Sequence, residues 1–342
     1  MNNLTIALDV MGGDKGPRIT IKSSIMAINS LPNLQLILCG DEQQITSELA
    51  RYNISPEQLN NHPQLSICPT SQVVGMDEKP SSALRCKKDS SMRKALDLVD
   101  NNQAQACVSA GNTGALFTMA HLILKTLPGV ERPALISALP TREEEQQVFM
   151  LDLGANVFCD SHVLYQFGVM GSVLAEHTAQ IDKPRVALLN MGSESMKGSD
   201  HIKLASVELS ENSNINYIGF IEGHEIFSNK ADVIVCDGFV GNVALKTCEG
   251  VARMVYKKSK HVFNENVFIQ ILSRLLKKSI KKVFKTLNPD QYNGASLIGL
   301  RGIVVKSHGD ANEKAFYAAI MQAVKEIKHQ VPEKINTTLD QS

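Results

Sequence analysis

The chain lacks the short signatures that would settle its chemistry at once. It has no Gly-x-Gly-x-x-Gly, so the ordinary dinucleotide fingerprint is missing, and no Gly-x-x-x-x-Gly-Lys-Ser/Thr, so there is no P-loop. Neither His-Glu-x-x-His nor Gly-x-Ser-x-Gly occurs, which argues against zinc peptidases and the α/β-hydrolase nucleophile. No Cys-x-x-Cys exists among the seven cysteines, whose closest two are Cys236 and Cys248, so zinc-ribbon and thioredoxin readings fail. Most of these thiols stand in apolar runs, where they act as small hydrophobes, and a reducing cytoplasm is the expected compartment. The nine histidines do not cluster at ligand spacing, so nothing calls for a metal or another cofactor. No apolar run approaches the ~20 residues of a spanning helix. The first apolar run, Leu4–Leu8, meets Asp9 with no basic stretch before it, unlike a signal peptide. Even net charge is missing: 35 Lys and Arg balance 35 Asp and Glu.

What is present is an ordinary globular composition, 43% hydrophobic and 20% charged over 342 residues. Short apolar runs predict buried strands at 5–10, 34–39, 65–69, 106–109, 134–139, 148–153, 185–189 and 232–236. Helices are expected near 17–30, 41–52, 90–102, 112–125, 160–180, 200–211, 240–260 and 311–329. This alternation predicts an α/β fold: one large domain, 1–342, whose open, mostly parallel sheet carries helices on both faces. A closed eight-stranded barrel would also alternate, but the spacing is irregular. Residues 70–92 are charged, Ser-rich and unpatterned, and read as a loop or mobile flap.

In open α/β sheets ligands gather at the carboxyl ends of strands, and five such ends are rich in Gly, Asn, Asp or Ser. The first runs from Asp9 through Gly12, Gly13 and Asp14 to Pro17, and the second holds Ser109, Gly111, Asn112 and Thr113. The third carries Asp152 and Asn156, and the fourth Asn190 and Lys197. The fifth carries Asp237, Gly238, Asn242 and Lys246. Glycines let backbone approach a ligand, and amides at a helix start face an anion. If all five open on one edge, they form a polar cleft for a phosphate-sized anion, with Lys197 and Lys246 as counter-charges. A sixth segment, 294–312, reads as a strand followed by a ligand turn with Arg301, Ser307, His308 and Asp310. His308 would serve as acid, base or anion donor; Asp310 would equally suit a helix cap.

Seven motifs in order carry a family resemblance over about residues 4–330. They are ALDVMGGDKGP at 7–17, MDEKPSSALRCKKDSSM at 76–92, SAGNTGAL at 109–116, LDLGAN at 151–156, LNMGSESMKG at 189–198, CDGFVGNVALKTCEG at 236–250 and GLRGIVVKSHGDAN at 299–312. Together they resemble the bacterial acyl-carrier-protein:phosphate acyltransferases. The resemblance implies a Rossmann-like three-layer α/β/α fold, a homodimer and peripheral association with the cytoplasmic membrane. It implies transfer of a fatty acyl group from acylated acyl carrier protein to inorganic phosphate. The acyl phosphate would then feed a membrane glycerol-3-phosphate acyltransferase. On that reading Ser109, Asn112 and Thr113 cradle phosphate and Lys197 neutralises it. Asn242, Lys246 or His308 stabilises the oxyanion, and Asp237 or Asp310 helps the thiol leave.

The balanced charge conceals an uneven distribution. Residues 257–285 hold nine Lys or Arg against one acid, Glu265, a local charge of +8 that leaves −8 on the rest. At helical spacing Phe268, Leu272, Leu276 and Val283 fall on one side, and Lys277, Lys278, Lys281 and Lys285 on the other. The pattern predicts a basic amphipathic helical protrusion at 257–290. It suits an ordinary buried helix face, an anionic membrane surface or the acidic carrier protein. Nucleic-acid readers usually interleave aromatics with the charge, so no nucleic-acid partner is expected. Two rival functions stand beside acyl transfer: a metal-dependent dehydrogenase of the isocitrate or isopropylmalate type, and a non-enzymatic membrane-binding module.

Overall fold

The computed structural model describes residues 3–143, 146–263 and 294–340. Eleven strands form one sheet in the order β3-β2-β1-β4-β11-β10-β5-β6-β9-β7-β8. In chain order they are β1 (Leu4–Asp9), β2 (Leu34–Gly40), β3 (Leu65–Pro69), β4 (Ala106–Ser109), β5 (Ala134–Pro140) and β6 (Gln147–Leu151). Then follow β7 (Arg185–Leu189), β8 (Asn216–Ile221), β9 (Val233–Val235), β10 (Ala295–Ile298) and β11 (Ile303–Lys306). Most neighbours pair in parallel; β10 runs antiparallel to both β11 and β5, and β5 antiparallel to β6.

Helices cover both faces because central strands are buried on both and read as continuous apolar runs. On one face Ala7, Cys107 and Val304 pack on α5 (Ser91–Asp100) and α6 (Thr113–Leu124). The partly buried Ala244 and Leu245 of α9 (Gly238–Phe263) join them. On the other face Ile6, Leu8 and Val305 meet α1 (Pro17–Ser30) and α10 (Glu313–His329). Farther along that face, Leu151, Val186 and Val233 pack on α7 (Ser161–Ala179), which also meets α11 (Val331–Asp340). Helices α2 (Glu42–Ala50), α3 (Pro56–Asn60), α4 (Pro80–Cys86) and α8 (Asp200–Glu211) complete the α-helices among the described residues. No helix among the described residues is long and apolar enough to cross a membrane.

Three elements differ from the sequence expectation. The expected flap 70–92 contains α4 and is clasped at its base, where the Ser71 hydroxyl donates to Asp89 at 2.6 Å and the Asp89 amide to Gln72 at 2.9 Å. Only Ala83 of α4 is buried, so the sequence carries no helical period there. The expected single strand after Gly294 is a hairpin, β10 and β11. Strand β8 lies at the sheet edge with alternating exposure, and polar Asn216 and Gly219 mask it in the sequence. Of the basic segment, residues 257–263 continue α9; 264–290 lie outside the described residues.

Candidate active site

The polar strand ends do not share one edge. Strands β1, β4 and β11 run one way; after the antiparallel passage through β10, β5 and β6, strands β6, β9 and β7 run the other way. Their carboxyl ends therefore lie on opposite edges of the sheet, which corrects the expectation of a single five-sided cleft. The reversal depends on long-range pairing that spacing in sequence does not encode.

The first edge holds a buried polar row. Asp9, Ser109 and Lys306 end three adjacent parallel strands in register, and alternation puts all three on the face of α5 and α6. Asp9 is 1% exposed. Its carboxylate accepts from the Ser91 hydroxyl at 2.5 Å and the Ser109 hydroxyl at 2.6 Å. Burial, the largest influence, holds Asp9 above the ordinary carboxylate range, opposed by the bonds from Ser109, Ser91 and the Gly12 amide and by the Lys306 charge. Gly12 is required here: a β-carbon would come within 2.5 Å of the Asp9 carboxylate and 2.7 Å of the Gly111 amide nitrogen. The Gly111 amide donates to the Ser109 hydroxyl oxygen at 3.0 Å, which completes a closed turn.

Three turns are stitched together above this row. The Asp14 amide donates to the Gly309 carbonyl at 2.8 Å, and the Ser307 amide to Ser109 at 2.8 Å. Lys15 Nζ donates to the Asp310 carbonyl at 2.7 Å. Asn112 caps α6, its side-chain oxygen accepting from the Ala115 amide at 3.0 Å. Its amide nitrogen donates to the carbonyls of Met76 at 2.8 Å and Glu78 at 2.9 Å, pinning the 75–78 loop beside the α6 amino terminus. The side chains of Ser109 and Asn112 are thus engaged within the protein, while Thr113 at the start of α6 is exposed. The first amides of a helix have no helical acceptor and favour an anion. His308 faces Asp310, Nδ1 to Oδ1 at 2.6 Å. The Asp310 amide nitrogen also lies 3.5 Å from Nδ1; in the tautomer that donates to the carboxylate, Nδ1 carries the hydrogen. Lys246, on α9, pairs with Glu249 at 3.0 Å, and its charge acts on Lys306.

On the second edge most of the expected residues are structural. Asp152 accepts from the amides of Leu135 at 2.9 Å and Asn156 at 2.6 Å, and the Asn156 side chain donates to the Pro133 carbonyl at 2.8 Å. The Asn190 side chain closes its own loop, donating to the Lys197 carbonyl at 3.0 Å. Asp237 accepts from the Val240 amide at 2.8 Å and so caps the head of α9. Gly238 meets the Asn156 carbonyl, and Asn242 packs on Gly154 one turn before Lys246. Lys197 pairs with Glu194 at 2.8 Å and is not brought to the Ser109 turn. Arg301 lies in the turn at the amino end of β11, donating to the Thr126 carbonyl at 3.0 Å, away from Ser307. Among the described residues no three His, Cys, Asp or Glu group as a metal site would need.

Two residues of the first edge escaped the sequence reading. Ser91 looked like part of a Ser-rich loop; its signal was the Ser-Ser-Met step into a helix. Lys306 looked like the last residue of an apolar strand; a lysine closing Ile-Val-Val directly before Ser-His-Gly was its only mark.

Comparison with known proteins agrees with the motifs. A family model described as "Fatty acid synthesis protein" matches residues 4–334. A phosphate acyltransferase of Colwellia psychrerythraea is 72% identical over 338 residues, covering 99% of this chain and 97% of that one. One from Moritella marina is 53% identical over 340 residues, covering 99% of each. A phosphotransacetylase structure from Streptococcus pyogenes matches with a TM-score of 0.63 at 16% identity, covering 95% of this chain and 94% of that one. At that identity the likeness speaks for the fold.

Proposed function

The chain belongs to the family of the phosphate acyltransferases of fatty acid synthesis, and from that premise we propose that it moves a fatty acyl group from acyl carrier protein to inorganic phosphate. The observation that supports this most is the first edge: three stitched turns and the α6 amino terminus gather around a buried lysine, with His308 in one of those turns and the charge of Lys246 felt from α9. Such a site holds an anion by backbone amides and fixed cations.

The chemistry balances without a covalent enzyme intermediate. An unprotonated oxygen of hydrogen phosphate attacks the thioester carbonyl, a C–O bond forms and the C–S bond breaks. The proton on hydrogen phosphate ends on the carrier thiol. His308 suits that relay: with Nδ1–H donated to Asp310, its Nε2 accepts the phosphate proton and returns it to the leaving sulfur. Asp310 thus orients the base rather than protonating the thiol itself. Lys246 offers charge to the oxyanion. Holding phosphate against the carbonyl supplies much of the acceleration, up to about 7–11 kcal/mol in well-oriented cases.

The relatives that match over the full chain at half identity or more are phosphate acyltransferases, which favours acyl transfer over the hydride-transfer reading. The test is thiol release from acylated carrier protein with and without phosphate. Release that requires phosphate supports the reading; release at the same rate without it would make the protein a thioesterase.

Localisation and assembly belong to the same proposal. We read the basic stretch 257–290 as the surface that rests on anionic headgroups and steers the acidic carrier protein, keeping acyl phosphate near a membrane glycerol-3-phosphate acyltransferase. Val243, Val251 and Met254 stand about half exposed along α9, an apolar stripe that suits a homodimer. One preparation checks both. Light scattering is expected to give about twice the 37.4 kDa chain mass. Flotation is expected with anionic liposomes and to be lost when Lys278, Lys281 and Lys282 all become Glu; binding indifferent to lipid charge would rule out the electrostatic version.

A further inference from the structure

Lys306 has no part in the mechanism above, and its surroundings ask for one. It is 7% exposed. Its Nζ donates to the carbonyl of Ala110 at 3.4 Å and to that of Ser307, the residues that open two of the three turns. The ammonium therefore sits between the turn that leads into α6 and the turn that carries His308. A buried ammonium is costly unless an anion meets it. Asp9, the nearest carboxylate in the row, is engaged by two hydroxyls and the Gly12 amide, and acts on Lys306 through space rather than by a hydrogen bond. Lys246 of α9, itself paired with Glu249, opposes the charge of Lys306 through space.

We propose that Lys306 seats the phosphate nucleophile: the dianion docks between the 110–113 and 307–310 turns and takes the third N–H of Lys306 from beneath. The proposal rests on the acyl-transfer reading and names the residue that gives it phosphate affinity. Three donors on one ammonium make this possible, since the two carbonyls use only two. The cation also ties both turns in place before the anion arrives.

A pH signature follows. Burial, the main influence, lowers Lys306 to about 8, opposed by Asp9, reinforced by Lys246 and opposed again by Asp14. These face it from β1, from α9 and from the β1–α1 turn, with His308 and Asp310 in the turn that follows. Phosphate favours the charged amine, so binding takes up a proton once the pH exceeds about 8, and phosphate affinity falls as pH rises through that value.

The test compares the whole enzyme with Lys306→Met and Lys306→Arg from pH 6.5 to 9. Lys306→Met is expected to raise KM for phosphate about ten- to hundredfold, leave KM for the acylated carrier within about twofold, and abolish the alkaline rise. Lys306→Arg, always charged, is expected to keep part of the affinity and also lose the alkaline rise. A folded Met variant with unchanged phosphate KM and pH dependence overturns the proposal. Calorimetry of the unaltered protein with inorganic phosphate alone, at pH 8.5 in two buffers of different ionisation enthalpy, is independent of turnover and of how the variants fold. Proton uptake supports the proposal, and binding without uptake contradicts it. Should the unaltered protein show no phosphate-dependent turnover, the acyl-transfer reading fails, while calorimetry still decides whether Lys306 meets the anion.

Discussion

Asp9→Ala is expected to cost about 3–5 kcal/mol of stability and to lower turnover roughly a hundredfold or more. The reason is local. The substitution strands the hydroxyls of Ser91 and Ser109 and the Gly12 amide in a place without water, and removes the negative charge that helps keep Lys306 protonated. Because Ser109 also accepts from the Gly111 amide, the damage passes directly to the turn before α6. Asp9→Asn, of the same shape, is expected to cost less, about 1–3 kcal/mol, since its one carbonyl oxygen still accepts one hydroxyl. Urea unfolding and turnover on the same samples check both. An Asp9→Ala protein that unfolds at the parent's urea midpoint and turns over within fivefold would mean the row does not frame the site.

His308→Ala is expected to lower kcat about 10²–10⁴-fold while leaving phosphate KM within a few fold. The split between the two constants carries the information. A base that relays a proton acts on the step after binding, whereas a residue that seats phosphate acts on KM. Asp310→Asn should fall between parent and His308→Ala, because it weakens the orientation of the ring without removing it. Steady-state kinetics at saturating carrier separates these outcomes. If His308→Ala changed only phosphate KM, the imidazole would be an anion donor and the relay would need another base.

Much of the fold was legible because its central strands are buried on both faces. Runs such as 36–40 and 186–189 stand out as uninterrupted apolar stretches. β8 was not legible because an edge strand tolerates Asn216 and Gly219. α4 was not, because it rests on α6 through one buried alanine and carries no period. The site was legible in its materials and not in its arrangement. Gly12, Ser109 and His308 were recognisable by their place after strands. Nothing local says that β10, β5 and β6 reverse the sheet and send Asp152, Asn190 and Asp237 to the far edge. Nor does a strand-ending lysine announce that it lies in register with Ser109, beside Asp9. Register is a property of pairing, and pairing joins residues about two hundred positions apart.

The charge balance has a similar lesson. A net charge of zero hides a strongly basic stretch at 257–285, the feature on which the proposed membrane location rests. The proposed reaction would instead depend on a few charges at one edge of the sheet.

The central claim is that phosphate is the nucleophile, and oxygen isotopes test it most directly. The protein is mixed with acylated carrier protein and phosphate labelled with ¹⁸O at every oxygen, and the products are weighed by mass spectrometry. The account predicts acyl phosphate that keeps all the heavy oxygens, formed in step with carrier thiol. Thiol release accompanied by unlabelled fatty acid, with no acyl phosphate, would show that water attacks the thioester and would contradict it.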